Sequence, residues 1–264
     1  MDSNERERRR QRRYREAMRN RGIAAVVLVI LIVGVIFIVK GCKKEDTPPA
    51  DGQQQQQEQT GTPEDVTPET PVNVDDELLT VVNPWNPLPE DWVSDLVVCD
   101  LEGRKIDSRC YEAFEEMMAA CRDAGYAPFL CSAYRTQETQ QSLYDNKVQR
   151  LINSGMSEDE AKVEAAKAVA IPGTSEHQLG LAVDIVDANM QDLTDEQENT
   201  ETQKWLMANS WRYGFIHRYP NDKTDITGII YEPWHYRYVG KAAAQDIFNR
   251  DITLEEYTGK TNQS

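Results

Sequence analysis

Two of the three histidines of this chain lie in segments that could hold a metal ion. His177 precedes Asp184 by seven residues, and His235 lies in a distant segment. Two imidazoles and one carboxylate suit zinc better than calcium or magnesium, although cobalt or iron would accept the same donors. Three protein ligands leave the fourth position of a zinc ion open for water, as a catalytic site requires.

One carboxylate next to these histidines is suited to acid–base chemistry. Glu232 precedes His235 by three residues, and Pro233 restricts the backbone between them. Hydrolysis of a peptide bond by a metal-activated water needs a group that takes a proton and returns it to the leaving amine. Glu232 is therefore the predicted general base rather than an ordinary solvated glutamate.

Three segments of the sequence form one larger pattern. They are Ser175-x-His177-x-x-Gly180-x-Ala182-x-Asp184, then Glu232-x-x-His235, and upstream Ser132-Ala133-Tyr134-Arg135-Thr136 with Gln140. This pattern resembles the signature of the VanY-type D-alanyl-D-alanine carboxypeptidases. The resemblance extends over roughly residues 96–240, with the three segments in the family's order.

The resemblance implies the roles of the residues that would do the chemistry. One zinc ion per chain would be held by His177, Asp184 and His235, with Glu232 as the catalytic base. Arg135 would stabilise the oxyanion that develops on the scissile carbonyl, because its planar guanidinium presents fixed donors.

Other residues are assigned to the surroundings of that site. Positions that line the substrate pocket in the family correspond to Ser132, Tyr134, Gln140 and Ser175. His217 lies outside the motif, at a position where the family leads us to expect a nonpolar residue, and we predict a structural role for it. Trp234 could either wall the pocket or pack in the core.

The elements that must position these residues follow from apolar periodicity and from capping residues. We predict helices that begin at Asp107 or Ser108, at Thr136, at Ser157 and at Thr200, and short strands at 96–99, 129–133, 181–186, 228–231 and 235–239. The expected fold is therefore α+β, a small and mainly antiparallel sheet flanked by helices, with the zinc site at one face.

The amino-terminal part of the chain predicts a membrane anchor. Residues 23–39 have no polar side chain and come close to the minimum length of a transmembrane helix. The nine arginines of residues 1–22 outnumber the three lysines that follow the apolar stretch, which predicts a basic cytoplasmic tail. Lys40 and Gly41 follow directly instead of a cleavage site. Lipidation at Cys42 is the alternative, although Lys40 fits that processing site poorly.

A disordered linker should follow the anchor, and then the catalytic domain. Residues 40–76 are rich in Gln, Pro and acidic residues and have almost nothing to bury. Residues 77–264 should form the extracytoplasmic zinc carboxypeptidase domain of a single-pass protein of the cell membrane. The formal net charge of −16 argues against nucleic-acid binding, because such a surface repels phosphates. We expect a monomer.

Four cysteines of the predicted domain raise the question of disulfides: Cys99, Cys110, Cys121 and Cys131. An extracytoplasmic compartment favours pairing. Cys110 and Cys121 share a predicted helix, which separates them by about 16 Å, too far for a bridge. The schemes 99–110 with 121–131 and 99–121 with 110–131 both remain. A cysteine metal cluster is disfavoured, because the sequence has no C-x-x-C pair.

The expected activity is removal of the C-terminal D-alanine from peptidoglycan stem peptides or their precursors. An L,D-carboxypeptidase acting on tetrapeptide stems is the alternative within the family. A non-catalytic, zinc-bearing module that binds or senses the cell wall is the alternative outside catalysis. Such a module should have lost Glu232 or one ligand, and neither is lost here. An endopeptidase would need an open groove.

Overall fold

The structure is a computed structural model that describes residues 76–261, and two antiparallel sheets organise this part of the chain. A two-stranded ribbon pairs β1 (Leu96–Val98) with β2 (Lys105–Asp107). The larger sheet has four strands in the order β3-β4-β6-β5. They are β3 (Pro128–Ser132), β4 (Ala182–Asp187), β5 (Phe215–Tyr219) and β6 (Glu232–Tyr238). The predicted small antiparallel sheet is confirmed.

Helices flank the larger sheet, as expected for an α+β fold. They are α1 (Ser108–Asp123), α2 (Gln137–Asn153), α3 (Glu158–Ala168), α4 (Glu201–Asn209), α5 (Thr224–Thr227), α6 (Lys241–Arg250) and α7 (Leu254–Thr258). Short 3₁₀ turns lie at Glu77–Leu79, Glu176–Leu179, Asp195–Asn199 and Ser210–Tyr213.

Side-chain caps set the starts of the predicted helices. The Asp107 carboxylate accepts a hydrogen bond from the Arg109 backbone N–H, and the Thr136 hydroxyl accepts one from Thr139. Ser157 and Glu160 form both halves of a capping box. Each cap satisfies N–H groups that the first helical turn leaves without a partner. Thr200 caps α4 in the same way, so the four predicted helix starts are confirmed to within a residue.

Several elements differ from the prediction. The strand expected at residues 228–231 is absent, because α5 ends at Gly228, whose φ is 78°. A Cβ at Gly228 would also come within 2.8 Å of the Pro84 ring, so the backbone packs closely against Pro84 at this point. The apolar residues that follow Gly228 therefore lie in an irregular segment and not in a strand. Strand β6 begins at Glu232, three residues before the predicted start. Strands β2 and β5 and helices α5, α6 and α7 were not predicted.

The hydrophobic core lies between α1 and one face of the larger sheet. Val183 and Ile185 of β4 are fully buried there, together with Phe114 and Met117 of α1. Side chains of a strand alternate between the two faces. Asp184 therefore projects from the opposite face, where the candidate site forms.

The cysteine prediction was wrong for this structure. Cys99, Cys110, Cys121 and Cys131 are free thiols, so neither two-bridge scheme is present among the described residues. Helix α1 places Cys110 and Cys121 in the hydrophobic core, where they pack as small apolar side chains. Burial raises the pKa of both thiols to about 12, so they are protonated and unreactive.

The predictions for the tail, the anchor and nearly all of the linker fall on residues 1–75, outside the described residues. None of the helices between residues 76 and 261 combines the length and the apolar character that a membrane span needs.

Candidate active site

Three side chains that can bind a metal ion meet on the face of the sheet opposite the core. One donor atom each from His177, Asp184 and His235 lies within 4.8 Å of the other two. Asp184 Oδ2 is 3.2 Å from His177 Nε2, and Asp184 Oδ1 is 3.0 Å from His235 Nδ1. All three residues are buried. The structure thus brings together the three predicted ligands.

Strand register and one tight turn produce this arrangement. Asp184 of β4 pairs directly with His235 of β6. His177 comes from the 3₁₀ turn that ends at Gly180, whose φ is 77°. A Cβ at Gly180 would lie 3.2 Å from Leu96 Cδ2 and 3.3 Å from the Asp107 backbone nitrogen. The turn therefore needs glycine both for its backbone conformation and for close packing.

The two imidazoles are oriented by different partners. His177 Nδ1 lies 2.8 Å from the Ala133 carbonyl oxygen, to which it can donate, and this leaves the Nε2 lone pair directed at the site. His235 is turned the other way, with Nδ1 at the site and Nε2 3.5 Å from Glu176 Oε2. His235 Nε2 and Glu176 Oε2 are both buried, and neither atom has a hydrogen-bond partner among the described residues.

The electrostatics of the three residues fit a zinc ion. Burial and the nearby Arg135 charge lower the pKa of His177 to about 4, so its imidazole is neutral at pH 7, as a ligand must be. Burial opposes ionisation of Asp184, but His177 and His235 hold its pKa well below the usual range. Against the effect of burial, the Asp184 and Glu176 carboxylates raise the pKa of His235 to about 9. The site thus favours a positive charge.

The predicted general base lies beside the metal-binding cluster without being part of it. Glu232 Oε2 is 3.7 Å from His235 Nδ1, and the Glu232 side chain is 12% exposed. Burial raises the pKa of this carboxyl to about 8. A carboxyl in such a setting can change its protonation state near neutral pH.

Arg135 contacts Asp184, and several hydrogen bonds hold its guanidinium group in place. Its NH2 group is 2.8 Å from Asp184 Oδ2. Its Nε donates to Ser132 Oγ at 3.0 Å, and its NH1 donates to Gln140 Oε1 at 3.3 Å. Gln140 is fully buried and also donates to the Ala170 carbonyl oxygen at 2.7 Å. Ser132 and Gln140, predicted as substrate-binding residues, thus lie behind Arg135 and orient it.

The other two predicted substrate-binding residues differ in position. Ser175 is buried and lines the cavity beside the metal-binding cluster. Tyr134 does not line that cavity, and its backbone N–H donates to the Lys105 carbonyl oxygen at 2.9 Å.

This cavity has a volume of about 480 Å³ and carries both apolar and charged side chains. Trp234 lines the cavity and is itself largely buried, so the two interpretations that the sequence left open do not exclude each other. Sequence reasoning missed Lys147 and Arg150, which line the cavity from α2. The sequence did contain a signal for them, because Gln140, Leu143, Lys147 and Arg150 are three to four residues apart, a spacing that places side chains on one side of a helix. Sequence reasoning also missed Glu176, although it adjoins His177.

His217 lies beneath Glu232. Its Nε2 is 3.2 Å from the Glu232 carbonyl oxygen, and its ring contacts those of Tyr231 and Tyr236. Burial lowers the pKa of His217 to about 4, so the ring is neutral and can donate to that carbonyl. His217 does not belong to the metal-binding cluster, and the predicted structural role stays a prediction.

The chain is similar to known proteins over the same region. Residues 103–241 match the VanY family, described as D-alanyl-D-alanine carboxypeptidase. A D-alanyl-D-alanine carboxypeptidase of Enterococcus faecalis is 45% identical over 179 residues, which cover 68% of this chain. The match spans 65% of the length of that relative.

Solved structures agree with the sequence comparison. VanYB in complex with D-alanine-D-alanine is 44% identical, with a TM-score of 0.64, and the match covers 70% of this chain and 98% of that one. A mutant of the vancomycin-resistance D,D-pentapeptidase VanY, in complex with Zn(II), is also 44% identical, with a TM-score of 0.62 and coverages of 68% and 97%. The LD-carboxypeptidase LdcB is 39% identical, with a TM-score of 0.61 and coverages of 69% and 86%.

Sequence and fold thus lead to the same group of zinc hydrolases, and the chain belongs to the VanY family of D-alanyl-D-alanine carboxypeptidases.

Proposed function

We propose that this chain is a zinc-dependent D,D-carboxypeptidase that removes the C-terminal D-alanine from peptidoglycan stem peptides. One observation supports this above the others. A three-ligand site lies next to a carboxyl that is not part of it, Glu232, and to a guanidinium held in place, Arg135. A site that only stored zinc would need neither group.

A zinc ion would be held by His177 Nε2, the Asp184 carboxylate and His235 Nδ1. Zinc bound in such a site is a Lewis acid, which polarises a carbonyl group and lowers the pKa of water toward neutrality. The Ala133 carbonyl oxygen accepts from His177 Nδ1–H and so fixes the ring that faces the metal site.

Two further side chains perform the chemistry in this proposal. Glu232 takes a proton from the attacking water and returns it to the leaving D-alanine nitrogen. Arg135 donates hydrogen bonds to the oxygen of the scissile carbonyl, where negative charge develops. Ser132 and Gln140 keep the guanidinium in that orientation, so that little reorganisation is needed during the reaction.

The cavity supports a peptide substrate with anionic groups. Although the chain has a formal net charge of −16, its cavity wall carries Lys147 and Arg150 from α2, as well as Arg135. Stem peptides carry carboxylates, which these cations can pair with. Trp234, Leu143 and Ile229 supply apolar surface for the alanine side chains. We propose Ser175 as a substrate-binding residue and Tyr134 as a more peripheral one.

An L,D-carboxypeptidase is the second candidate, because LdcB has the same fold at 39% identity. The two activities differ in the configuration of the residue before the scissile bond. We favour the D,D activity, since two similar structures, a D-alanine-D-alanine complex and a D,D-pentapeptidase, are each 44% identical to this chain, against 39% for LdcB. A sensor without turnover is disfavoured, because Glu232 and all three ligands are present.

We further propose that the protein is a monomer anchored in the cell membrane by residues 23–39, with the domain outside the cytoplasm. The sequence supports this with its apolar stretch and the arginines before it. A protease added outside intact cells should release the domain and leave residues 1–22 protected. A domain that stays fully protected would reverse the orientation.

The activity is tested with the full-length chain in detergent and stem peptides that end in D-alanyl-D-alanine. Mass spectrometry should show the loss of one alanine, and a chelator should abolish the reaction until zinc is restored. A matched tetrapeptide with an L-centre before the terminal D-alanine tests the L,D alternative. Zinc binding with no cleavage of either peptide would contradict the enzyme and favour the sensor.

A further inference from the structure

Glu176 is a fully buried carboxylate directly behind the metal-binding cluster, and none of the steps above uses it. Its Oε1 accepts from Arg218 Nε and from Arg237 NH1, both at 2.8 Å. Its Oε2 faces His235 Nε2 at 3.5 Å. One oxygen is therefore occupied by two guanidinium donors, while the other is directed at a metal-binding histidine.

The two arginines that hold Glu176 are themselves fixed. Arg218 forms a two-point ion pair with Glu255 of α7, at 2.8 and 2.6 Å. The Asn83 side chain donates to the same Glu255 at 3.0 Å. Arg218, Arg237 and Glu176 have side chains that are 0% exposed. The carboxylate cannot rotate without breaking buried ion pairs, which is costly.

Backbone from the start of the domain completes this support. Arg237 NH2 donates to the carbonyl oxygens of Leu78 and Thr80, both at 2.9 Å. These residues, like Asn83 and Glu255, lie outside the region 103–241 that matches the family. Both ends of the described chain therefore act on the position of Glu176.

We propose that Glu176 is a positioning residue that fixes the proton of His235 on Nε2, so that Nδ1 offers its lone pair to the metal. The proposal rests on the zinc site proposed above, and it does not depend on the reaction. A neutral imidazole has one N–H, and the nitrogen that carries it is set by the partner of the ring. Glu176 Oε2 can only accept, so it selects the form with hydrogen on Nε2.

Glu176→Gln gives a sharp test, because the geometry dictates how the amide must lie. Its oxygen must face the two arginine donors, since an NH₂ group there would put donor against donor. The NH₂ group then faces His235 Nε2 and favours the form with hydrogen on Nδ1, which cannot bind a metal. Zinc affinity of the full-length chain, measured by competition with a chelator, should fall by about 10- to 100-fold, as for other groups that orient metal ligands.

Glu255→Gln is the matched control. It removes a buried carboxylate of the same arginine network without contact to His235. It should lower thermal stability and lower zinc affinity clearly less than Glu176→Gln does, because Arg237 still holds Glu176 and the carboxylate still faces His235 Nε2. Equal losses of zinc affinity in both variants would reduce Glu176 to a structural residue and overturn the proposal.

A measurement on the parent keeps the proposal testable if Glu176→Gln does not fold. Nitrogen-15 NMR of the zinc-loaded chain, labelled at its three histidines, should show His235 protonated at Nε2. A proton on Nδ1 would overturn the proposal. A parent that binds zinc in this way but cleaves no peptide would contradict the proposed function alone.

Discussion

Asp184 and His235 lie opposite each other on antiparallel strands, and Asp184 Oδ1 is 3.0 Å from His235 Nδ1 although 51 residues separate them in the chain. Strand β3 lies along the opposite edge of β4, and its Ser132 pairs with Asp184 there. A shift of one residue in the β4–β6 register would turn one of the two side chains toward the core. The register of two strands is therefore a condition for metal binding.

Asp184→Asn should abolish stable zinc binding at nearly unchanged side-chain volume, because the amide is a much weaker ligand than the carboxylate. Zinc content per chain after dialysis is the measurement. Asp187→Asn is the matched control on the same strand, since Asp187 accepts from Thr202 and Asn189 away from the site. A stoichiometric zinc ion retained by Asp184→Asn would exclude this carboxylate as a ligand.

Glu232→Ala should leave the zinc content nearly intact and lower peptide hydrolysis by at least about 10²-fold, the lower range for the loss of a positioned general base. The reason is that Glu232 lies beside the metal-binding cluster but outside it. Release of D-alanine is measured next to zinc content. Exposed Glu102 offers a control, because Glu102→Ala should change neither quantity. Hydrolysis at the parental rate in Glu232→Ala would exclude Glu232 as the base.

Arg135→Lys should lower kcat by about 10²-fold despite the retained charge, a loss typical of removing an oxyanion donor. One ammonium group cannot replace the planar donors that reach Ser132, Gln140 and Asp184 together. Gln140→Leu should cause a smaller loss of kcat, since it removes a support of the guanidinium and keeps the group itself. Steady-state kinetics with a stem peptide measures both, and a KM effect without any change in kcat would show that Arg135 only binds substrate.

Lys147→Gln and Arg150→Gln should raise KM for stem peptides and leave kcat nearly unchanged. Both side chains line the cavity from α2, where they can pair with substrate carboxylates. A short acylated D-alanyl-D-alanine without further carboxylates should be cleaved almost equally by parent and variants. Lys162→Gln, on the neighbouring helix and outside the cavity, is the control. An unchanged KM for the longer peptide would place the substrate elsewhere.

His217 should make the metal-free protein less stable in mild acid. Burial lowers the pKa of His217 from 6.5 to about 4. Between these values the unfolded chain binds the proton and the folded chain does not, so the free energy of unfolding decreases as the pH falls from 6.5 toward 4. His217→Gln should remove this part of the decrease.

The comparison uses urea unfolding with chelator at a neutral pH and at a pH near 5. Parent and His217→Gln should differ in the stability lost between the two conditions, with the larger loss in the parent. Glutamine can still donate to the Glu232 carbonyl, which separates the protonation effect from the hydrogen bond. Equal losses would mean that His217 is protonated in the folded protein.

The sequence alone determined the chemistry and much of the local structure. Residue types at fixed spacing, together with the resemblance to the VanY family, predicted His177, Asp184 and His235 as ligands and Glu232 as the base, and the structure brings the three predicted ligands together. The helix starts were also predictable, since a cap such as Ser157 with Glu160 acts within a few residues. Such signals are local, so one sequence contains them in full.

Only the tertiary structure decided how these groups are oriented and supported. The pairing of Asp184 with His235, the support of Arg135 by Gln140, and the place of Glu176 behind His235 all join segments far apart in the chain. The composition of residues 228–231 predicts a strand, but packing around Gly228 and Pro84 overrides that preference. The structure also has the four cysteines of the domain as free thiols, two of them, Cys110 and Cys121, inside the hydrophobic core. Contacts between distant segments depend on the packing of the whole domain, and no local pattern of residues contains them.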